Sequence, residues 1–480
     1  MTRSSRVWIS KRYIFASSPN MSAQTPVLPC LEHSSITITP SLSPSHPLRH
    51  PAFTIPNPLL AHLEIASQHL HSSRTVAFAT ETVYGLGASA LDPDAIKKIY
   101  LIKNRPADNP LIIHVSSLDM LQRLLPSSDV YEISKIQLAL ITAFWPGPLT
   151  LLFPSPNPSQ PPALQTNAIR MPAHLLALAL IHHSNLPLSA PSANFSGRPS
   201  PTQARHVYND LNGAEGLGCI LDGGDCGVGV ESTVVNALGW KAGGGGSVDI
   251  LRPGGLGVEE IARVVQEVDG RGDVTEIQMH GKPWRRNVEA SSSRATHLSR
   301  TEPNLAPATP GLKYRHYSPR IPVYLLQPSN TFPRSSEIPS KTDSTPRAVL
   351  RKISADVQRN GRNPTLGLLH YEDSPLSRRV LDVSDLSIES ISLGPTAESA
   401  AQRLFSGMLS LEGSAKYPAN GSSSMGVDAI LMEGCSDEGL GLAVMERIDK
   451  AVGGGGFGEG ANAGLAQGVD SERRYWVDVS

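Results

Sequence analysis

Between about residues 53 and 268, short apolar runs of period two alternate with stretches of helical period. Arg74 to Ala79 (RTVAFA) is a β-favouring run. It passes through Thr80-Glu81-Thr82 into Tyr84-Gly85-Leu86-Gly87, which reads as a strand entering a glycine-bearing turn. Asp92 and Asp94 open a helical segment that runs through Arg105. Ile96, Ile99, Tyr100 and Lys103 recur at i, i+3, i+4 and i+7, hence on one face. Lys103 therefore ends the buried stripe instead of joining the solvated side, and Pro106 closes the helix. Strands are predicted at Leu111 to Val115, at Leu149 to Phe153 after Trp145-Pro146-Gly147-Pro148, and at Ala168 to Met171. His174 to His183 reads as an apolar-rich helix, and Leu186 to Ala190 leads into Pro191-Ser192-Ala193-Asn194. Pro201 and Thr202 open a helix through Leu211; Cys219 to Asp222, Ser232 to Asn236 and Asp249 to Leu251 read as strands. The irregular alternation and short turns predict an α/β fold with a twisted, mixed or largely antiparallel sheet.

Outside that block the pattern fades. Residues 1–52, 270–308 and 328–346 are rich in Ser, Pro and Thr, and glycines run at 243–246 and 453–456. Such segments bury too little apolar surface to offset the entropy of ordering, so they are expected to be loose. A second folded block follows at about 309–452. The expected division is a loose segment at 1–52, a first domain at 53–268, a linker at 269–320, a second domain at 321–452 and a glycine-rich tail at 453–480. Two domains suit a length of 480 residues.

Charge removes some functions. The formal net charge is −1, which argues against electrostatic coating of nucleic acid and leaves a local basic cleft open. No stretch approaches the ~20 apolar residues of a membrane span. Cys30, Cys219, Cys226 and Cys435 form neither a CxxC pair nor a zinc spacing, so free thiols in a reducing, cytoplasmic setting are expected. The N-terminus carries Arg3, Arg6, Lys11 and Arg12 before the first acidic residue, Glu32. That composition reads either as a mitochondrial presequence or as an unstructured tail, and Met21 offers a second start without it.

Polar groups gather at the predicted strand and helix ends: Thr82, Lys103, Arg105, Asn109, His114, Arg170, Ser192, Asn194, Ser232 and Arg252. Singly, each reads as a cap, a turn residue or half of a salt bridge. Together, the four cations beside Gly- or Pro-bearing turns suit a polyphosphate. No GxxxxGK[ST] loop, kinase motif set or nucleophile elbow is present. Spacing alone supports an anion-binding α/β domain.

The runs TVAFATETVYGLGASA, KNRPADNPLIIHV, WPGPLT, IRMPAH, LSAPSANFSGRPSPT, LDGG, GVESTVVN and LRPGG resemble the YrdC/TsaC family. The family's KxR…SxN hallmark is matched by Lys103, Arg105, Ser192 and Asn194. PGLKYRHYSP at 310–319 and VDAILMEGCSDEGLGLAVMERIDKA resemble the linker and C-terminal domain of its longer, two-domain members. Leu312 stands where many relatives have Met, and insertions at 241–247, 270–308 and 413–424 leave the motifs intact. The resemblance implies a twisted mixed-sheet domain with a concave basic cleft, and a smaller Rossmann-like second domain. It implies synthesis of threonylcarbamoyl-adenylate and pyrophosphate from L-threonine, bicarbonate and ATP. Magnesium would accompany ATP, with no tightly bound cofactor, and a separate complex would pass the threonylcarbamoyl group to tRNA. By motif position, Thr82, His114, Arg170, Ala190 and Ser232 would line a threonine pocket. Lys103, Arg105, Asn109, Thr166, Ser192, Asn194, Ser200, Arg252 and Tyr314 would serve the nucleotide, with Lys103 and Arg105 at the reacting phosphates. Residues 309–319 would fold over the cleft as a lid. An RNA-binding or regulatory protein of the same fold is the alternative, with at most weak double-stranded RNA or tRNA binding at this charge.

Overall fold

The computed structural model describes residues 24–41, 46–156, 165–243, 245–270, 275–284, 316–329, 344–358, 361–413, 426–453 and 473–479. The basic N-terminal segment, Tyr314 and most of the 309–319 segment lie outside them.

The RTVAFA run forms the strand Thr75–Phe78, buried along its whole length because both faces are covered. Val76 and Phe78 point to one side, where the helices Asn57–His71 and Leu175–Ser184 supply Leu63, Leu70, Leu176 and Ile181. Ala77 and Ala79 point to the other, against Ala95, Ile99 and Ile102 of the helix Pro93–Lys103 and Val207 and Leu211 of Ala204–Leu211. This is the two-residue alternation of a pleated strand. Thr75–Phe78 is antiparallel to Gly85–Ser89 and parallel to Leu217–Asp222. Around this centre the chain builds a mixed twelve-stranded sheet. Its further strands include Leu188–Ser189, Ile113–His114, Thr166–Arg170, Leu149–Pro154, Thr233–Asn236 and Ser247–Arg252.

Several expectations need correction. Gly85 and Gly87 sit in a strand, and the turn lies before them at 79–84. A Cβ on Gly87 would come 2.6 Å from Phe78 Cε1, so its bareness makes room for a core ring. The helix from Pro93 stops at Lys103, because Asn104 adopts a left-handed conformation with φ of 48°. Its buried face centres on Ala95, Ile99 and Ile102 instead of Ile96 and Tyr100. Residues 1–52 are not loose throughout: Val27–Pro29 pairs in parallel with Leu217–Asp222, and Thr37–Thr39 pairs with Ala52–Thr54. Likewise Glu276–Met279 and Lys282–Pro283, inside the expected 270–308 insertion, extend the sheet beyond Ser247–Arg252.

The second domain is a five-stranded, all-parallel sheet in the order Ser387–Ser392, Thr365–His370, Ala429–Glu433, Val323–Pro328, Arg474–Val477. Its last strand corrects the glycine-rich tail: Tyr475, Trp476 and Val477 are buried and hold the chain's end against Val323–Pro328. Helices Pro346–Val357 and Pro375–Leu381 cover one face, and Ala397–Glu412 and Leu440–Val452 the other. The layers and parallel strands are Rossmann-like. The order by chain position is 3-2-4-1-5, whereas the dinucleotide-binding arrangement begins 3-2-1-4.

The two domains share a core. Val83 and Val230 of the first pack among Leu404, Phe405, Val444 and Ile448 of the second. Gly229, with φ of 80°, lets the backbones touch: a Cβ there would lie 2.4 Å from Gln402 Cα.

Candidate active site

A cleft of about 740 Å³ opens where strand ends, the 79–84 turn and the 191–200 loop meet His316 and Tyr317 of the linker segment. Thr82, Lys103, Arg105, His114, Arg170, Ala190, Ser192, Asn194, Ser200, Ser232 and Arg252 all line it. Two expected residues do not. Thr166 starts its strand four residues before Arg170, about 13 Å away at the rise of a β-strand. Asn109 is buried beside the cleft, and its carbonyl accepts from Arg105 Nε at 3.1 Å.

Lys103 ends its helix with the side chain only 1% exposed. Its Nζ donates to the Ser192 carbonyl and, at 2.6 Å, to the Asn194 carbonyl. Lys103 thus pins the 192–194 loop, and one of its three N–H groups is left for a ligand. Burial first, then the Arg105 charge, pushes its pKa well down. Arg105, turned off the helix axis by Asn104, donates through Nε to Asn109 and through Nη2 to the Pro110 carbonyl at 2.9 Å. Burial lowers its pKa to about 10.

Arg170 closes the strand Thr166–Arg170 and is 2% exposed. Its Nη1 donates to Thr82 Oγ1 at 3.0 Å and its Nη2 to Glu81 Oε1 at 2.7 Å. Two of the five guanidinium N–H groups are thereby fixed and three are left. Thr82 is held in turn by Thr80, whose hydroxyl lies 2.8 Å away. His114 Nδ1 lies 3.2 Å from the Ile112 carbonyl, and the ring also meets the Leu188 backbone. Burial, reinforced by the Arg170 charge, lowers the pKa of His114 to about 3. Arg252 grips the Ser232 carbonyl through Nη2 at 2.9 Å and Nε at 3.2 Å. The Ser232 hydroxyl meets Thr150 at 2.7 Å.

Some wall residues went unnamed in the reading from sequence. Glu231, 8% exposed, accepts from Ser200 Oγ at 2.5 Å and from Arg447 Nη2 at 2.9 Å. Burial works to raise its pKa, but Arg447 and Arg252 outweigh burial and bring it down to about 2. Arg447 comes from the second domain and is fully buried, with Nη1 on the Pro253 carbonyl at 2.7 Å. Arg198 adds a two-pronged pair with Glu412 at 2.6 and 2.7 Å, also across the domains. A local signal existed for Glu81 and Glu231: each is a carboxylate beside a candidate residue inside an apolar strand-end motif. None existed for Arg447 or Arg198, whose partners are remote in sequence. His316 and Tyr317, from the linker segment, also stand on the wall.

Four polar atoms of this wall are buried with no partner among the described residues: Arg170 Nε, Asn194 Oδ1, Ser196 Oγ and His316 Nε2. Buried polar groups are almost always satisfied, so their convergence in one cleft marks a ligand site.

Residues 68–254 match the protein-family model described as "Telomere recombination", and residues 257–453 match "Threonylcarbamoyl-AMP synthase, C-terminal domain". The threonylcarbamoyl-AMP synthase of Schizosaccharomyces pombe is 39% identical over 444 residues, 86% of this chain and 94% of that one. That of Pyrococcus abyssi is 36% identical over 394 residues, 82% of this chain and 94% of that one. The crystal structure of P. abyssi Sua5 complexed with L-threonine superposes with a TM-score of 0.58 at 36% identity, covering 82% of this chain and 94% of that one. With matches spanning both halves, the chain belongs to the two-domain threonylcarbamoyl-AMP synthase family.

Proposed function

We propose that this cleft makes threonylcarbamoyl-adenylate from L-threonine, bicarbonate and ATP. The observation that carries the reading is the set of four unpartnered polar atoms converging among Lys103, Arg105, Arg170 and Arg252. Bicarbonate releases CO2 as its hydroxide leaves as water with the proton shed by the threonine ammonium; the freed amine nitrogen adds to the CO2 and loses a second proton to solvent, giving a carbamate. A carbamate oxygen then attacks the α-phosphorus; the bond to the bridging oxygen breaks, and pyrophosphate leaves with the electron pair. No enzyme nucleophile is needed, so catalysis is positioning, charge neutralisation and exclusion of water from a labile carbamate.

In this reading Arg170 takes the threonine carboxylate with the N–H groups that Thr82 and Glu81 leave open. His114, with its pKa lowered to about 3, takes up no second proton at neutral pH, so it meets the substrate as a neutral imidazole and not as a general acid. Ser192 and Asn194, on the loop pinned by Lys103, serve the nucleotide together with Ser200, Arg105 and Arg252. Magnesium enters with the triphosphate, whose oxygens suit its demand for hard ligands. Glu231, the carboxylate among the described lining residues, already accepts from Arg447 and Ser200, so the protein's own contribution to that ion is to hold the phosphates around it. The adenylate then passes to a separate complex acting on tRNA.

The test is incubation of the full-length protein with labelled ATP, bicarbonate and threonine. Pyrophosphate and threonylcarbamoyl-AMP should form in equal amounts, and valine should replace threonine poorly, because a site built around a hydroxyl rejects analogues that leave its polar groups unpaired. Absence of both products, with RNA bound in a salt-sensitive manner, would favour the RNA-binding alternative.

A further inference from the structure

The second domain holds a crevice that the chemistry above does not use. It opens at the carboxyl ends of three adjacent parallel strands: Thr365–His370, followed at once by Tyr371; Ala429–Glu433, ending in Glu433; and Val323–Pro328, ending in Pro328. The helices after the two outer strands, Pro375–Leu381 and Pro346–Val357, lie on one face of the sheet. The helix after the middle strand, Leu440–Val452, lies on the other. The chain ends therefore part on either side of Glu433, which opens a crevice where parallel sheets habitually bind ligands.

The lining narrows the ligand. Glu433 is 3% exposed, yet only one of its oxygens is engaged: Oε2 accepts from the Tyr371 N–H at 2.9 Å and from Ser374 Oγ at 2.8 Å. Oε1 accepts from no described residue. Tyr371 Oη beside it is buried and likewise lacks a hydrogen-bond partner of ordinary geometry, with the Cys435 thiol as its neighbour. Pro328, Pro375, Ala397 and the Tyr371 ring supply an apolar wall, and Glu438 adds a second carboxylate. No Lys or Arg is among the described lining residues, so nothing there would receive a phosphate or a carboxylate. Burial raises the pKa of Glu433 to about 7, as expected of a carboxylate whose countercharge is absent.

We propose that this crevice is a binding site for a small organic amine, with the ammonium on Glu433 Oε1 and an apolar body between Pro328, Pro375 and the Tyr371 ring. The site lies apart from the catalytic cleft and does not depend on what that cleft does.

The probe is 2-phenylethylamine, titrated calorimetrically into the full-length protein at about pH 8, where the amine is charged and Glu433 is ionised. One saturable site per chain is expected, at least tenfold weaker for 2-phenylethanol and undetectable for 3-phenylpropanoate. Saturating L-threonine should not displace the amine. Glu433→Gln should weaken it tenfold or more while threonine binding is unchanged, and Ala397→Leu, which fills the wall without touching the carboxylate, should weaken it too. The site is refuted if the wild-type protein shows no saturable amine binding, if the alcohol binds equally well, or if threonine competes. Undiminished binding in both folded variants refutes it as well.

Discussion

Arg105 shows how much one side chain does in this cleft. Two of its N–H groups fasten the turn at Asn109 and Pro110, which aims the rest of the guanidinium inward. Arg105→Ala therefore removes a cation and loosens the wall that carried it. Charge-assisted hydrogen bonds contribute roughly 1.5–3 kcal/mol, so adenylate formation should fall about tenfold or more in a folded protein. Arg105→Lys should recover little, because an ammonium cannot reproduce the two-carbonyl fork. Pyrophosphate release under saturating threonine measures both, and near-normal turnover of the alanine variant would contradict the assignment. At this scale the sequence was informative where a motif named the residue. It was silent on division of labour: Lys103 and Arg252 hold backbone carbonyls as much as they face a ligand, and that follows from three-dimensional distances, not from residue type.

The elements were legible where periodicity was strong and obscure where one residue overruled it. The fully buried strand Thr75–Phe78 and the apolar helix Leu175–Ser184 lie within a residue or two of their predicted bounds. The helix before Arg105 ends two residues early because Asn104 turns left-handed, which no hydrophobic count reveals. The strands Val27–Pro29 and Arg474–Val477 are three and four residues long amid polar sequence, and they form only because a buried strand offers an unpaired edge. Gly87 tests how the first sheet is packed. Its glycine lets the Phe78 ring lie across the neighbouring strand, and a methyl group would sit 2.6 Å from Cε1. Overpacking a closed core costs about 1–3 kcal/mol, so Gly87→Ala should lower the free energy of unfolding, measured by urea denaturation, by that amount. Gly227→Ala, with nothing within 4 Å of the added carbon and no left-handed φ, is the control for a glycine with room to spare. Equal losses in the two variants would show that the Phe78 ring does not set the cost.

At the scale of the whole molecule, the second domain braces the cleft wall of the first from behind, through the lining residue Glu231. Arg447 crosses the interface, places Nε and Nη2 3.0 and 2.9 Å from Glu231 Oε2, and stacks over the Tyr317 ring at 5.6 Å. Glu231 Oε1 in turn holds Ser200 on the cleft wall. Removing Arg447 leaves a buried carboxylate short of its main countercharge, a change that typically costs 3–5 kcal/mol, about that much less stability in Arg447→Ala. The dependence on pH identifies the cause. Glu231 has its pKa lowered in the folded chain, from 4.5 to about 2. An acid so shifted binds fewer protons folded than unfolded, so its contribution is fully present above about pH 4.5 and is lost as pH falls towards 2. The stability gap between wild type and Arg447→Ala should accordingly be widest at neutral pH and close below about pH 4.5. Groups remote from Arg447 and Glu231 titrate alike in both proteins: the buried, neutral His114 and His206, both held at about 3, lose stability over a higher range as pH drops from 6.5. They cancel in the difference. Urea denaturation of the two proteins from neutral to acid pH measures the gap, and pyrophosphate release at neutral pH should fall with it because Glu231, which anchors Ser200, is no longer fixed by Arg447. A gap that stays constant with pH would mean that Arg447 acts by filling space, and that the charge it brings to Glu231 is incidental.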